Sequence, residues 1–299
     1  MTEDQQPGTG FDRLLGFSLP ARHARGRAVR LGPVLHQILA AHDYPPAIKH
    51  LLSEALVLTA LVGGLLKGEG SQLTIQAQAP GAIVELLVCD FLDGALRGYA
   101  KHDAARIDEV GVAPSLQTLF GEGSLTITFD MASSGQRYQG VVPLEGRSLT
   151  AALERYFARS EQVPTLIKAA VADSTSGLIA GGILVQHLPE GEDGRERLHA
   201  RDDHPEWEHV AVLASTMEAR ELTDPALALE TLVWRLFYEE RELRSDAGTQ
   251  LSRGCRCSIE HFEDVLARFS KQDRRDMRNE QGVILVDCAF CSREFSILD

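Results

Sequence analysis

Four of the five cysteines in this 299-residue chain fall within its last 45 residues. Cys255 and Cys257 stand two positions apart in "GCRCSIEHF", and Cys288 and Cys291 three apart in "DCAFCSREF". In an extended segment, residues two apart project to the same side, so Cys255 and Cys257 can aim both sulfurs at one ion. Cys288 and Cys291 have the spacing of a metal-binding turn. Four thiolates at about 2.3 Å from a shared ion make a closed tetrahedral site, for which zinc, one per chain, is the expected metal. An iron–sulfur cluster also takes four cysteines, and spacing alone does not separate the two. A thioredoxin-like redox pair fits less well, because "CAFC" has no βαβ unit after it.

Four protein ligands leave no open position for water, so the set does not suit zinc hydrolysis. The remaining roles are structural support or a switch. Arg253, Arg256 and Arg293 stand near the cysteines and can balance the negative charge of a tetrathiolate. An accessible thiolate cluster can be oxidised. Disulfide formation would remove all four ligands, and with them the folding energy that the metal supplies to a small module. Cys89, in the apolar stretch "IVELLVCD", reads as a core residue, and His261 as an exposed helix residue.

The surrounding composition sets the context. Apolar residues make up 44% and charged residues 24% of the chain, as in ordinary folded proteins. The polar, acidic start "MTEDQQPGTG" has no signal-peptide pattern, and the stretch "LLSEALVLTALVGGLL" carries Glu54 and is too short to span a bilayer. The expectation is a cytoplasmic chain with no membrane partner, in a compartment where thiols stay reduced. A net charge of −13 repels phosphate backbones, so no nucleic acid is expected. The ten histidines show no convergent Ser, His and Asp set, and no enzyme is expected.

The charge divides the chain. Residues 190–246 hold 16 acidic against 7 basic side chains, whereas 1–189 and 247–299 are close to balanced. Region 1–189 reads as an α+β sheet-and-helix domain: a helix in "RLGPVLHQILAAHDYPP", a second through "AIKHLLSEALVLTALVGGLL", then strands in "QLTIQAQ", "AIVELLVCD", "SLTITFD" and "QRYQGVV". A helix from about Ser148 to Gln162, with Ser148 as N-cap, leads to two strands near 166–172 and 178–188. The glycine pairs of "KGEGSQL" and "FGEGSLT" precede strands and read as turns, not phosphate loops.

Region 190–246 reads as a helical linker with an acidic lead-in, "PEGEDGRERLHARDDHPEWEHV". A thin apolar stripe of Val210, Leu213 and Met217 follows, then a helix with Thr223 or Asp224 as N-cap and Leu229, Leu232, Val233, Leu236 and Phe237 on one side. Such helices must lean on a neighbouring domain, or else remain a solvated linker. Region 247–299 reads as a small zinc-binding module: a helix with Phe262, Val265, Leu266 and Phe269, then the strand "GVILVD".

Several long blocks together, "GRAVRLGPVLHQILAAHDYPPAIKHLLSEALVLTALVGGLLKGEGSQLTIQAQ", "RYQGVVPLEGRSLTAALERYFARSEQVPT", "AGGILVQHLP", "LVWRLFYEE" and the CRC plus CAFC set, resemble the redox-regulated 33 kDa heat-shock chaperone family of bacterial cytoplasm. The resemblance implies an N-terminal domain, a metastable linker and a C-terminal zinc domain, inactive as a reduced, zinc-bound monomer. It implies that oxidation joins Cys255 with Cys257 and Cys288 with Cys291, releases zinc and unfolds the linker. The product would be an ATP-independent holdase that forms a homodimer and binds unfolding client proteins. Linker helices bearing Trp207, Val210, Leu213, Met217, Leu232, Leu236 and Phe237 among many carboxylates would then offer client-binding contacts while staying soluble.

Overall fold

The computed structural model describes residues 10–111, 114–188 and 204–298. Most of the acidic lead-in to the linker lies outside these residues. The chain opens with β1 (Arg13–Leu19) and β2 (Ala24–Leu31), passes through α1 (Pro33–Leu39) and α2 (Pro46–Gly63), and lays down β3 (Gln72–Gln78), β4 (Val84–Leu92) and β5 (Ala95–His102). Short helices α3 (Ala104–Ile107) and α4 (Leu116–Phe120) lead to a hairpin of β6 (Ser124–Met131) and β7 (Gln136–Pro143). Then come α5 (Leu149–Tyr156) and a last hairpin, β8 (Thr165–Ser174) and β9 (Gly177–His187).

Two sheets form around α2. One has the order β1-β2-β9-β8, the other β5-β4-β3-β6-β7, all pairs antiparallel. α2 packs on β2, β8 and β9 of the first and on β3, β4 and β5 of the second. This explains why its apolar stripe is so wide: Ile48, Leu52, Leu56 and Leu61 are fully buried, each worth about 1.5–3 kcal/mol against exposure. α2 also has the length and hydropathy of a membrane-crossing helix, but most of it is enclosed between the sheets.

The expected α+β architecture is the one observed, and strands form in "QLTIQAQ", "AIVELLVCD", "SLTITFD" and "QRYQGVV" and near 166–172 and 178–188, as anticipated. Ser148 caps α5 by accepting from the Ala151 N–H, and the helix extends as a π-turn to Gln162, which is left-handed. Three strands of the N-terminal region, β1, β2 and β5, were not anticipated. β5 follows β4 through Asp93-Gly94, both at positive φ, the dipeptide that a two-residue hairpin favours. In β2, Arg25, Arg27 and Arg30 mask the strand's apolar positions.

Beyond residue 203, α6 (Pro205–Ser215), α7 (Ala219–Thr223) and α8 (Leu229–Phe237) contact the first sheet and its edges. The helix expected to start at Thr223 or Asp224 does not: Thr223 ends α7, Asp224 turns back to accept from the Ala226 N–H, and α8 begins after Ala228. The chain then returns along both sheets. β10 (Arg244–Ser245) and β11 (Thr249–Gln250) pair with β1, and β12 (Ser252–Arg253) runs parallel to β5. The last module contains α9 (Ile259–Leu266), α10 (Lys271–Asp276) and a hairpin of β13 (Val283–Asp287) and β14 (Glu294–Leu298). Its core is small: Leu266, Ile284, Phe295 and Ile297 are buried, and Phe262 and Val286 lean on them; Phe269, expected on the helix, lies beyond its end and is exposed.

Candidate metal centre

The structure brings Cys255, Cys257, Cys288 and Cys291 together. Their Sγ atoms all lie within 4.8 Å of one another, with Cys255 to Cys257 at 3.4 Å, Cys255 to Cys288 at 3.5 Å and Cys257 to Cys291 at 3.5 Å. A tetrahedron with metal–sulfur bonds of about 2.3 Å has edges of about 3.8 Å, so the sulfurs already sit near that spacing. No two are bonded, since a disulfide needs about 2.05 Å.

Local backbone structure explains the placement. After β12 the chain stays extended through Gly254, whose N–H donates to the Leu96 carbonyl at 2.8 Å, so the two sulfurs of the CRC stretch face the same side. The other pair sits in a tight turn after β13: the N–H groups of Cys291 and Ser292 both donate to the Cys288 carbonyl. The Cys257 N–H is directed at the Cys255 sulfur, and those of Phe290 and Cys291 at the Cys288 sulfur. Such donors stabilise bound thiolates. Burial opposes ionisation of Cys255, but these bonds and the neighbouring thiols outweigh it and pull the thiol down to about 7. Burial and the thiol contacts push Cys257 and Cys288 up. Ionising four thiols side by side calls for a cation among them. The donor set fits a soft divalent ion such as zinc.

The module rests on the N-terminal sheets. Arg256 reaches Asp90 of β4 instead of the sulfurs, and Arg293 stacks on Phe295. The Ser292 hydroxyl donates to the Ala41 carbonyl at 2.6 Å, and a ring nitrogen of His42 lies 2.7 Å from the Ala289 carbonyl. His261 is exposed, whereas Cys89 is fully buried, its thiol pushed up by burial, and is not one of the four clustered sulfurs.

The apolar linker residues are covered. Trp207, Val210, Met217, Leu232 and Phe237 are buried against Leu15, Phe17, Leu19, Ala28, Ile183 and Val185, and Leu213 and Leu236 are half-buried at the margin. Polar contacts secure the same segment. Fully buried Arg30 of β2 donates to the carbonyls of Glu221 at 3.0 Å, Leu222 at 2.9 Å and Leu227 at 2.5 Å. Arg22 pairs with Glu206 and Glu240, which bracket the helices. Gly181 of β9 lies so close to α7 that a Cβ there would be 2.1 Å from the Leu222 carbonyl oxygen. Sequence reasoning overlooked Arg30 and Asp90. The signal was a charged side chain on the buried face of a strand.

A family model described as Hsp33 protein matches residues 12–297. The 33 kDa chaperonin of Caulobacter vibrioides is 39% identical over 303 aligned residues, covering 98% of both chains. That of Pseudomonas paraeruginosa is 37% identical, covering 95% of this chain and 91% of its own. The crystal structure of the 33 kDa chaperonin from Thermotoga maritima superimposes with a TM-score of 0.76 over 96% of this chain and 95% of that one, at 21% identity, and so shares the fold. With relatives this similar from end to end, the chain belongs to the Hsp33 family, whose members are chaperones and not enzymes.

Proposed function

We propose that the protein is a redox-regulated, ATP-independent holdase of the cytoplasm, inactive while its four clustered cysteines are reduced and metal-bound. In this reading residues 1–189 form the core, 190–246 a metastable linker and 247–299 the sensor. The carrying observation is the cluster itself: four sulfurs within 4.8 Å of one another in a module whose own core is little more than Leu266, Ile284, Phe295 and Ile297, directly after a linker docked on a sheet. A bound zinc ion would hold the sulfurs as thiolates and add the binding energy that so small a core lacks.

Oxidation by a peroxide-class oxidant would join Cys255 to Cys257 and Cys288 to Cys291. Forming each disulfide takes two electrons from its pair of sulfurs; the O–O bond of one peroxide accepts them and breaks, and with protons from the thiols or solvent two waters leave. Sulfur distances do not select this pairing, because the 3.4 Å and 3.5 Å separations are near equal; nearness in sequence and the family resemblance support it. The cysteines then no longer donate to a cation, and the module loses its fold. Undocked, Trp207, Val210, Leu213, Met217, Leu232, Leu236 and Phe237 would present apolar surface to unfolding clients among acidic side chains, with a homodimer as the active form. Neither nucleic acid nor membrane is a partner in this reading.

The test is light scattering of a thermally aggregating client with reduced protein, peroxide-treated protein and a Cys257→Ser/Cys288→Ser variant. Suppression by the oxidised protein alone is expected from the parent chain, and loss of the redox contrast from the variant. Equal suppression by reduced and oxidised parent would refute the switch.

A further inference from the structure

The contact between the cysteine turns and the N-terminal sheet converges on one carboxylate. Asp90, on β4 and 3% exposed, accepts from the Thr74 hydroxyl at 2.7 Å, from Arg97 Nε at 2.7 Å and Nη2 at 2.5 Å, and from Arg256 Nη2 at 3.1 Å. Arg97 faces Asp90 directly across the β4–β5 ladder. Arg256 lies between Cys255 and Cys257. The Arg97 guanidinium also sits 4.0 Å above the ring of Phe290, which lies between Cys288 and Cys291. One side chain therefore reaches the first cysteine turn through Arg256 and the second through Arg97 and Phe290.

We propose that the Asp90–Arg97 pair is a positioning clamp that holds both cysteine turns against the N-terminal sheet and thereby sets how readily the cluster gives up its metal and opens. The proposal rests on the zinc-switch reading and adds residues outside the cluster to it. Electrostatics decides the sign of the clamp. Two guanidinium groups share a single carboxylate, Arg97 at 2.5 Å and Arg256 at 3.1 Å. With Asp90 charged, the trio carries one net positive charge beside a centre that is negative when it holds a divalent ion on four thiolates. Without the carboxylate, the two cations repel each other, and the attraction that seats both turns becomes a force parting them.

The stacking adds a shape requirement. A planar guanidinium can bond Asp90 edge-on while its face covers Phe290, and an ammonium cannot do both. The backbone supports this seating, because β12 runs beside β5 and Gly254 passes so near Ala95 that a Cβ would lie 2.4 Å from the Ala95 side chain. Because the clamp does not pass through any sulfur, it keeps each turn in place after the other has been oxidised. The clamp therefore slows release, and its loss speeds both metal transfer and opening of the two turns.

The test uses the full-length reduced protein and its Asp90→Asn, Arg97→Lys and Phe290→Leu variants. Zinc transfer to a chromogenic chelator is followed in reducing buffer, with hydrogen exchange of segments 254–258 and 288–292 as a second readout. Transfer about tenfold faster is expected for Asp90→Asn, as loss of a charge-assisted contact implies. Exchange should rise in both segments for Asp90→Asn and only in 288–292 for Phe290→Leu. Parent-like transfer and exchange in all three variants would overturn the clamp. Should Asp90→Asn fail to fold, Arg97→Lys, which keeps the charge and loses the fork and the stacked face, and Phe290→Leu, which loses the face alone, decide. Failure of the switch reading looks different: peroxide would then leave the parent chain without holdase activity, whatever the exchange data show.

Discussion

Arg30 carries a full charge into a site with no solvent exposure and spends it on the backbone carbonyls of Glu221, Leu222 and Leu227. Burial depresses its pKa, with Asp224 acting in the opposite direction, so the carbonyls replace the water the guanidinium has lost. Arg30→Met keeps the length of the side chain and leaves three carbonyls short of a donor. The expected cost to linker docking is about 3 kcal/mol, seen as faster hydrogen exchange in 205–237 and partial holdase activity in the reduced protein. Unchanged exchange would show that Arg30 does not hold the linker. Glu54 gives a pH test of the core. Its carboxylate accepts from the Thr150 N–H and hydroxyl, but burial outweighs these bonds and raises its pKa above the usual 4.5. The folded state therefore binds the proton more tightly, and stability falls as pH rises from 4.5 through the raised value. Glu54→Gln should be the more stable protein at pH 7, with the gap closing towards pH 4.5; a pH-independent gap in melting temperature would contradict this. At this scale the cysteines were legible because metal chemistry fixes residue type and spacing together. Arg30 and Asp90 were not, since a lone charge in a strand shows its importance only when tertiary structure buries it.

Among the elements, the linker helices gain most from their surroundings. α6 to α8 are short, and their stability comes from an apolar face set on the first sheet. The sequence reading gave the apolar stripes correctly and misplaced the break between them. "TDPALA" resembles a helix start, but Arg30 takes the carbonyls on both sides of Asp224 and Pro225, which ends α7 there and delays α8 to Leu229. β5 was legible in principle through its Asp-Gly turn, whereas β1 and β2 needed knowledge of the facing sheet. Both tryptophans of the chain lie in the linker, Trp207 at 7% exposure and Trp234 at 57%. In a Trp234→Phe background the emission of Trp207 reports docking alone. Gly181→Ala, whose Cβ would strike the Leu222 carbonyl, should red-shift that emission in the reduced protein while the sheets persist by circular dichroism. A blue, parent-like spectrum would mean that the approach at Gly181 is not needed.

Across the whole molecule, one acidic segment lies between two nearly balanced ones. Residues 190–246 hold 16 acidic and 7 basic side chains, and this like charge opposes compaction of the linker. The docked state is thus held by a sheet face and by Arg22 and Arg30, against a standing repulsion. Three charge regions were visible from composition, but the way residues 244–253 pair with both sheets was not, because two-residue strands leave no periodic trace. The central claim is that the state of the cysteine cluster controls linker docking, and docking controls client capture. The most direct measurement follows three signals in one sample of the Trp234→Phe protein during peroxide treatment at elevated temperature: zinc in a metallochromic indicator, Trp207 emission, and scattering of an aggregating client. The account predicts that release of one zinc per chain, the red shift and suppression of scattering rise together. Suppression with Trp207 still buried, or complete zinc loss with aggregation unchanged, would contradict it.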